Sequence, residues 1–156
     1  MKGVNKVTAK RIFQLWKAAQ DKGGWIKVEN NDSFMPVSVE CIGENERFYF
    51  VSICHYVEQN GDLMRDPEVC YAIAKHTVEY GEEGAWDFLW VGPYSFRDDY
   101  MGMNQEFLFF EYKKREKSGE IKSWIPRLYR DNVSFSRMWM KNIWDQQKIR
   151  GDFKID

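Results

Sequence analysis

Polar side chains of the types used in active sites gather in one segment, FYFVSICHYVEQNGDLMRDPEVCYAIA, which spans residues 48–74. A thiol stands next to an imidazole at Cys54 and His55, and thiol–imidazole pairs serve nucleophilic catalysis. The segment also holds a candidate polar cluster of one imidazole and four carboxyl groups: His55, Glu58, Asp62, Asp66 and Glu68. Carboxyl pairs serve acid–base chemistry such as glycoside hydrolysis. This segment is therefore the first place in which to look for a site.

The β-strand predicted for residues 47–58 separates the thiol from the imidazole. Adjacent side chains of a strand point to opposite faces of the sheet, so Cys54 and His55 cannot form a pair with each other. The Asn60-Gly61 dipeptide is a strong hairpin signal and accounts for the chain reversal without any function. We therefore predict no catalytic residues, and the open question is whether the polar cluster converges in space.

The potential metal ligands are scattered along the chain. Zinc sites usually take Cys and His ligands at short spacings, whereas this chain offers a dispersed set: Cys41, Cys54, His55, Cys70 and His76. We predict no metal and no cofactor, although a site assembled across strands stays open. Acid–base chemistry also depends on separation in space, and the carboxyl candidates by type are Glu58, Asp62, Asp66, Glu68, Asp98 and Asp99.

A basic and aromatic stretch, FFEYKKREKSGEIKSW, occupies residues 109–124. Aromatic side chains flanked by cations on a sheet stack single-stranded bases. The candidate nucleic-acid patch comprises Lys113, Lys114, Arg115, Lys117, Lys122, Tyr112 and Trp124. Because Glu111, Glu116 and Glu120 interrupt the patch, a solvated hairpin tip is the alternative interpretation.

Large apolar side chains crowd the last predicted helix, which we expect to begin at Ser134 and to end at Gly151. Trp139 and Ile143 share one face, while Met140 and Trp144 lie further round the helix. We predict a candidate partner surface of Trp139, Met140 and Trp144 if only one flank of the helix packs on the sheet. The alternative is a wide buried stripe beneath an aromatic core.

The composition indicates one folded domain over residues 1–156. Apolar residues make up 44% of the chain and aromatic residues 17%, and we expect part of this aromatic surface to lie at an interface or groove. The net charge of −1 gives no general attraction to nucleic acid or to anionic membranes. The odd number of cysteines, three, does not suit a disulfide framework. With no apolar run long enough for a signal peptide or membrane span, we expect a soluble cytoplasmic protein.

The periodicity predicts an α+β fold in which an antiparallel meander of about five to seven strands carries helices at both ends of the chain. An apolar stripe indicates a first helix that begins near Thr8 and ends before Gly23. Period-two alternation then predicts strands near residues 25–29, 37–42, 47–58 and 68–74, the third of them central and covered on both faces. Residues 76–86 are expected to form a loop, and strand character resumes at residues 86–96 and 105–116, with 121–129 as a partner strand.

Two parts of the sequence resemble a small uncharacterised domain family from bacteriophage, plasmid and mobile-element genes. The segment HYVEQNGDLMRDPEV matches at His55, Tyr56, Glu58, Gln59, Asn60, Gly61, Asp62, Asp66 and Pro67. The C-terminal stretch WMKNIWDQQ matches at Trp139, Asn142, Gln146 and Gln147. The likeness covers residues 34–150. It implies no activity, but it implies an accessory role among mobile-element genes.

The resemblance and the lack of a coherent catalytic set favour one functional hypothesis. We expect a non-enzymatic accessory protein of a phage or mobile element that binds a protein partner or itself through exposed aromatic surface. Two alternatives stay open: single-stranded nucleic-acid binding through the hairpin of Lys113–Lys122, and a small enzyme or ligand binder at the region of His55–Asp66.

Overall fold

The computed structural model describes residues 1–112 and 119–155 and confirms the α+β class. Six antiparallel strands form one sheet in sequence order: β1 (Trp25–Val28), β2 (Val37–Glu44), β3 (Phe48–Gln59), β4 (Asp62–Ala74), β5 (Val91–Asp98) and β6 (Met103–Glu106). Two further strands pair separately, β7 (Leu108–Phe110) and β8 (Ile121–Trp124). The helices are α1 (Lys6–Asp21), α2 (Lys75–Glu82) and α3 (Pro126–Gln146). No helix in the described ranges has both the length and the apolar character needed to cross a membrane.

Helices α1 and α3 cover one face of the sheet and enclose the main core. Ile12 and Leu15 of α1 and Met140 and Ile143 of α3 are fully buried against the sheet. Their spacing of three and four residues places them on one face of each helix, so that burial of a continuous apolar stripe holds the layers together. At about 25 cal/mol per Å² of apolar surface, each such side chain contributes about 1.5–3 kcal/mol to this packing.

The hairpin of β7 and β8 covers part of the opposite face of the sheet. Phe110 of β7 lies with its ring centroid 5.2 Å from that of Phe48 and 5.1 Å from that of Phe50, both on β3. Val51 and Ile53 of β3 face the helices instead. The sequence prediction that this strand is central and covered on both faces is therefore confirmed.

Residues 75–82 form the helix α2, so the loop predicted over residues 76–86 is wrong. Gly81, one of the glycines that suggested a loop, is buried and allows close packing of α2. A β-carbon at this position would lie 3.4 Å from both Leu89 and Phe13. Thr77 donates its hydroxyl hydrogen to the carbonyl of Ala74 at 2.7 Å and thereby holds the first turn. Tertiary packing here outweighs the poor helix propensity of glycine.

Both long helices begin earlier than predicted. Asn5, not Thr8, caps α1, because the Asn5 side chain accepts a hydrogen bond from the backbone N–H of Thr8 at 2.9 Å. Helix α3 begins at Pro126, where a proline in the first turn loses no helical hydrogen bond. The additional turns bury Tyr129 and Asn132, so the apolar stripe of α3 is longer than the sequence pattern suggested.

Candidate functional site

His55 is a packed residue on the helix-facing side of β3. Its Nδ1 lies 3.0 Å from the carbonyl oxygen of Pro36, and its ring centroid lies 5.6 Å from that of Trp139. Burial lowers the pKa of His55, against opposing effects of the Pro36 hydrogen bond and the Asp66 charge. The imidazole is therefore neutral at pH 7 and donates a hydrogen bond to Pro36. Cys54 lies on the other face of the strand, as the pleat requires.

The other residues of the polar cluster lie in different parts of the β3–β4 hairpin. Glu58 and Asp62 are exposed at the tip of the β3–β4 hairpin, where Asn60 and Gly61 take the positive φ angles of 54° and 85° that a tight turn needs. Glu68 lies opposite Cys54, and its carboxylate accepts a 2.7 Å hydrogen bond from the hydroxyl of Ser52. The side chains of the candidate polar cluster, whose convergence the sequence left open, therefore do not share one site.

Asp66 has its main partner on another strand. Asp66 lies close enough to His55 for its charge to act on the imidazole, and its side chain hydrogen bonds to Asp98 of β5. Asp98 is 6% exposed and also accepts the backbone N–H of Met101 at 3.1 Å. Burial raises the pKa of Asp66, and the hydrogen bond and charge of Asp98 raise it further. Asp99 instead interacts with Arg65, whose backbone N–H donates a hydrogen bond to the Asp99 carboxylate at 2.7 Å.

Replacement of Asp66 by asparagine is expected to stabilise the protein at neutral pH. Because the pKa of Asp66 is raised by folding, the protonated form contributes stability below its unfolded pKa, and this contribution is lost as the pH rises through the folded pKa. The substituted amide cannot ionise, so we expect a gain of about 1 kcal/mol at pH 7, or about 2–4 °C in Tm, that shrinks towards pH 4. Thermal unfolding between pH 4 and 8 measures the effect.

Asp62→Asn is the matched control for this experiment, since Asp62 is exposed at the hairpin tip. We expect Tm of the control to follow that of the unmodified protein across the same pH range. An equal gain from both substitutions, or a gain from Asp66→Asn that does not change with pH, would argue against the Asp66–Asp98 interaction.

The three cysteines are free thiols held in the protonated form. Burial, with a contribution from nearby carboxylates, raises the pKa of Cys41 to about 11, of Cys54 to about 12 and of Cys70 to about 11. The reactive and metal-binding form of cysteine is the thiolate, which these surroundings disfavour. Within residues 1–112 and 119–155, no group of three Cys, His, Asp or Glu side chains is placed to hold a metal ion.

The candidate nucleic-acid patch is described only in part. Lys113, Lys114, Arg115 and Lys117 lie outside the described residues. Of the others, Tyr112 is 86% exposed, Trp124 is 47% exposed and Lys122 is exposed. These three side chains are accessible to a ligand, and the nucleic-acid hypothesis stays a prediction.

The candidate partner surface on α3 is corrected by the structure. Trp139, Met140 and Trp144 are 5%, 0% and 4% exposed. Trp139 packs on His55 and Phe135, while Trp144 packs on Phe153. The sheet lies under one flank of α3, and α1 and the C-terminal segment cover the other flank. The alternative interpretation, in which these side chains form a wide buried stripe of the helix, is therefore the correct one.

One exposed apolar surface lies around a 3-10 turn formed by residues Trp86–Phe88, a segment that the sequence pattern assigns to a strand. Phe88 is 65% exposed, and its ring centroid lies 5.2 Å from that of Tyr80. Val7 and Trp86 line the same depression, of about 390 Å³, as Phe88. We call Val7, Tyr80, Trp86 and Phe88 the Phe88 surface. No local pattern singles out Phe88, because its exposure depends on how α1 and α2 pack.

A larger cleft adjoins the Phe88 surface. It has a volume of about 800 Å³ and lies between residues 1–5, residues 87–90 and the first half of α3. We call it the N-terminal cleft. Phe88 lines both the cleft and the smaller depression. None of the polar-cluster residues lines the cleft.

Gln147 and His55, which both belong to the segments that carry the family resemblance, hydrogen bond to the same loop. Gln147 is 1% exposed; its Oε1 accepts the backbone N–H of Asn30 at 2.9 Å, and its Nε2 donates to the carbonyl of Met35 at 3.0 Å. His55 holds the next carbonyl, that of Pro36. Both side chains therefore fix the loop between β1 and β2, which explains them without catalysis.

The fold and these surfaces define an α+β protein with a helix-covered antiparallel meander, a buried polar framework and an exposed aromatic surface. Residues 7–149 match the family described as a domain of unknown function, DUF6908, and the chain belongs to this family. The resemblance to an uncharacterised domain is thereby confirmed at the level of the family. No curated protein and no solved structure matches the chain.

Proposed function

We propose that this protein is a non-catalytic accessory protein of a mobile element, and that it acts by binding another protein through the Phe88 surface. The observation that carries the proposal is the 65% exposure of Phe88 beside Tyr80 and Val7. Contiguous exposed apolar surface marks interaction sites, and aromatic side chains dominate the binding free energy of interfaces.

Packing and a hydrogen bond hold the residues on either side of Phe88. Its neighbours point inwards: Trp86 packs edge-on against Phe13 with centroids 5.8 Å apart, and Leu89 is 6% exposed. The backbone N–H of Trp90 donates to the hydroxyl of Thr77 at 3.0 Å. A backbone turn held by such contacts loses little conformational entropy when a partner covers Phe88, which favours binding.

The dispersal of the polar side chains supports the non-catalytic part of the proposal. A nucleophile, a base and an orienting group must lie within hydrogen-bond reach of each other. Here the imidazole of His55 donates to Pro36, the thiols are protonated, and Glu58 and Asp62 are exposed at a turn. The resemblance of His55–Pro67 to mobile-element domains supports the accessory role.

Substitution Phe88→Ser is expected to weaken protein binding by about tenfold or more, since truncation of an aromatic hot spot removes about 2 kcal/mol or more. The measurement is a selection of random peptides displayed on phage against the full chain with a C-terminal tag, followed by titration of the selected peptides against each variant. Sedimentation velocity tests whether the protein also associates with itself through the Phe88 surface. Any such self-association should be lost in the Phe88→Ser variant.

Leu63→Ser is the matched control, because Leu63 is 66% exposed but lies at the β3–β4 hairpin. We expect this variant to bind the selected peptides as the unmodified protein does, with both variants folded by circular dichroism. Peptides that bind the two variants equally well would contradict the proposal.

A second candidate function is single-stranded nucleic-acid binding at the β7–β8 hairpin, favoured by the exposure of Tyr112 and Trp124. A salt-dependent fluorescence titration with oligonucleotides tests it, because contacts with phosphates weaken as salt is added. Absence of quenching at low salt would exclude this candidate.

A further inference from the structure

The N-terminal cleft carries cations that have no carboxylate partner among the described residues. Arg130 and Arg137 lie one above the other on α3 and line the cleft together with Lys2. The one acidic side chain in its lining is Asp87, which forms an ion pair with Lys6 at 3.5 Å. Helix α1 begins at this cleft, and its positive end adds to the potential. The cleft therefore favours an anionic ligand.

The floor of the same cleft is apolar. Val4 and Leu89 are 8% and 6% exposed, and Val133 and Trp90 complete the lining. The polar atoms of its aromatic side chains already have partners, since the indole N–H of Trp90 donates to the carbonyl of Met1 at 3.2 Å. The hydroxyl of Tyr129 donates to the carbonyl of Lys2 at 2.7 Å. The floor thus presents apolar surface to a ligand, beneath a rim of cations.

We infer that the N-terminal cleft binds an acidic peptide segment of the partner protein, with an apolar side chain on the floor and carboxylates against Arg130 and Arg137. This inference rests on the proposed function, because Phe88 lines both surfaces and one partner would cover them together. Guanidinium groups bind carboxylates through two parallel hydrogen bonds, which suits arginines at a partly enclosed rim. A purely apolar ligand would leave the cations unpaired, and a polyphosphate would leave the floor uncovered.

The test is the peptide selection against the full chain with a C-terminal tag, since residues 1–5 form a wall of the cleft. We expect the selected peptides to combine Asp or Glu with a large apolar residue. The double substitution Arg130→Gln and Arg137→Gln is expected to weaken their binding by about tenfold, and added salt should weaken binding to the unmodified protein more than to this variant.

The matched control is the double substitution Arg127→Gln and Lys141→Gln, which removes two exposed cations of α3 that do not line the cleft. It should leave peptide binding within about twofold of the unmodified protein, as expected for surface charges outside an interface. Equal weakening by both double substitutions would show only a diffuse effect of charge and would overturn the inference.

Other outcomes also test the inference. Selected peptides that need Phe88 but lack acidic residues, or that bind the Arg130 and Arg137 variant normally, would overturn the inference and leave the proposed function standing. A single-stranded oligonucleotide that displaces the acidic peptides and depends on the same two arginines would overturn it in favour of nucleic acid. Acidic peptides that need the arginines but not Phe88 would support the cleft as a site and overturn the proposed function.

Discussion

Replacement of Trp139 by alanine is expected to lower the free energy of unfolding by about 3–5 kcal/mol, the usual range for truncation of a buried aromatic side chain. Trp139 is 5% exposed, and its ring centroid lies 5.6 Å from those of His55 and Phe135. Alanine would leave a cavity between α3 and β3 that rigid secondary structure cannot close. Equilibrium unfolding in urea, followed by fluorescence and circular dichroism, measures the loss.

The neighbouring substitution Met138→Ala is the control, since the Met138 side chain is 53% exposed. We expect it to change the free energy of unfolding by no more than about 0.5 kcal/mol. If Trp139→Ala left stability unchanged and instead reduced self-association, Trp139 would belong to a partner surface after all.

Replacement of Gln147 by leucine is expected to lower the free energy of unfolding by about 1–3 kcal/mol, because its buried side chain would no longer hydrogen bond the backbone N–H of Asn30 and the carbonyl of Met35. The substitution keeps the approximate volume of the side chain but removes the hydrogen bonds to Asn30 and Met35. We further expect the amide of Asn30 to exchange its hydrogen faster, since it loses the Gln147 carbonyl. Urea unfolding and amide hydrogen exchange measure the two effects.

Gln146 offers a control within the same pair of glutamines. Its backbone carbonyl accepts a hydrogen bond from the Asn31 side chain at 2.8 Å, whereas Gln147 contributes its side chain. Gln146→Leu should therefore stay within about 0.5 kcal/mol of the unmodified protein. Similar losses for both substitutions would mean that the pair acts through helix α3 itself and not through the β1–β2 loop.

The strands could be predicted from sequence because their signals are local. Alternation along β1, β2 and β3 and the Asn60-Gly61 turn each depend on a few consecutive residues, and the meander follows when neighbours in sequence pair in space. The helix α2 could not be predicted, since it packs on distant parts of the chain, with Gly81 lying against Phe13 and Leu89. Its local composition favours a turn.

The candidate polar cluster shows that local sequence patterns also fail to predict which side chains of a site meet in space. Period-two geometry was sufficient to separate Cys54 from His55. It was not sufficient to pair Asp66 with Asp98, because those residues are distant in sequence and meet only when β4 and β5 align. Sequence adjacency overstated the grouping of Glu58, Asp62 and Glu68, which the hairpin distributes between its tip and one face of the sheet.

The sequence by itself determined the class of fold, the order of the strands and the aromatic excess, because these depend on composition and on short-range periodicity. Only the tertiary structure decided which aromatic side chains remain outside. It buried Trp139, Met140 and Trp144 and exposed Phe88 beside a cleft lined by Arg130 and Arg137. The physical reason is that exposure depends on what packs over a residue, and the covering elements, α1, α2 and the C-terminal segment, come from distant parts of the chain.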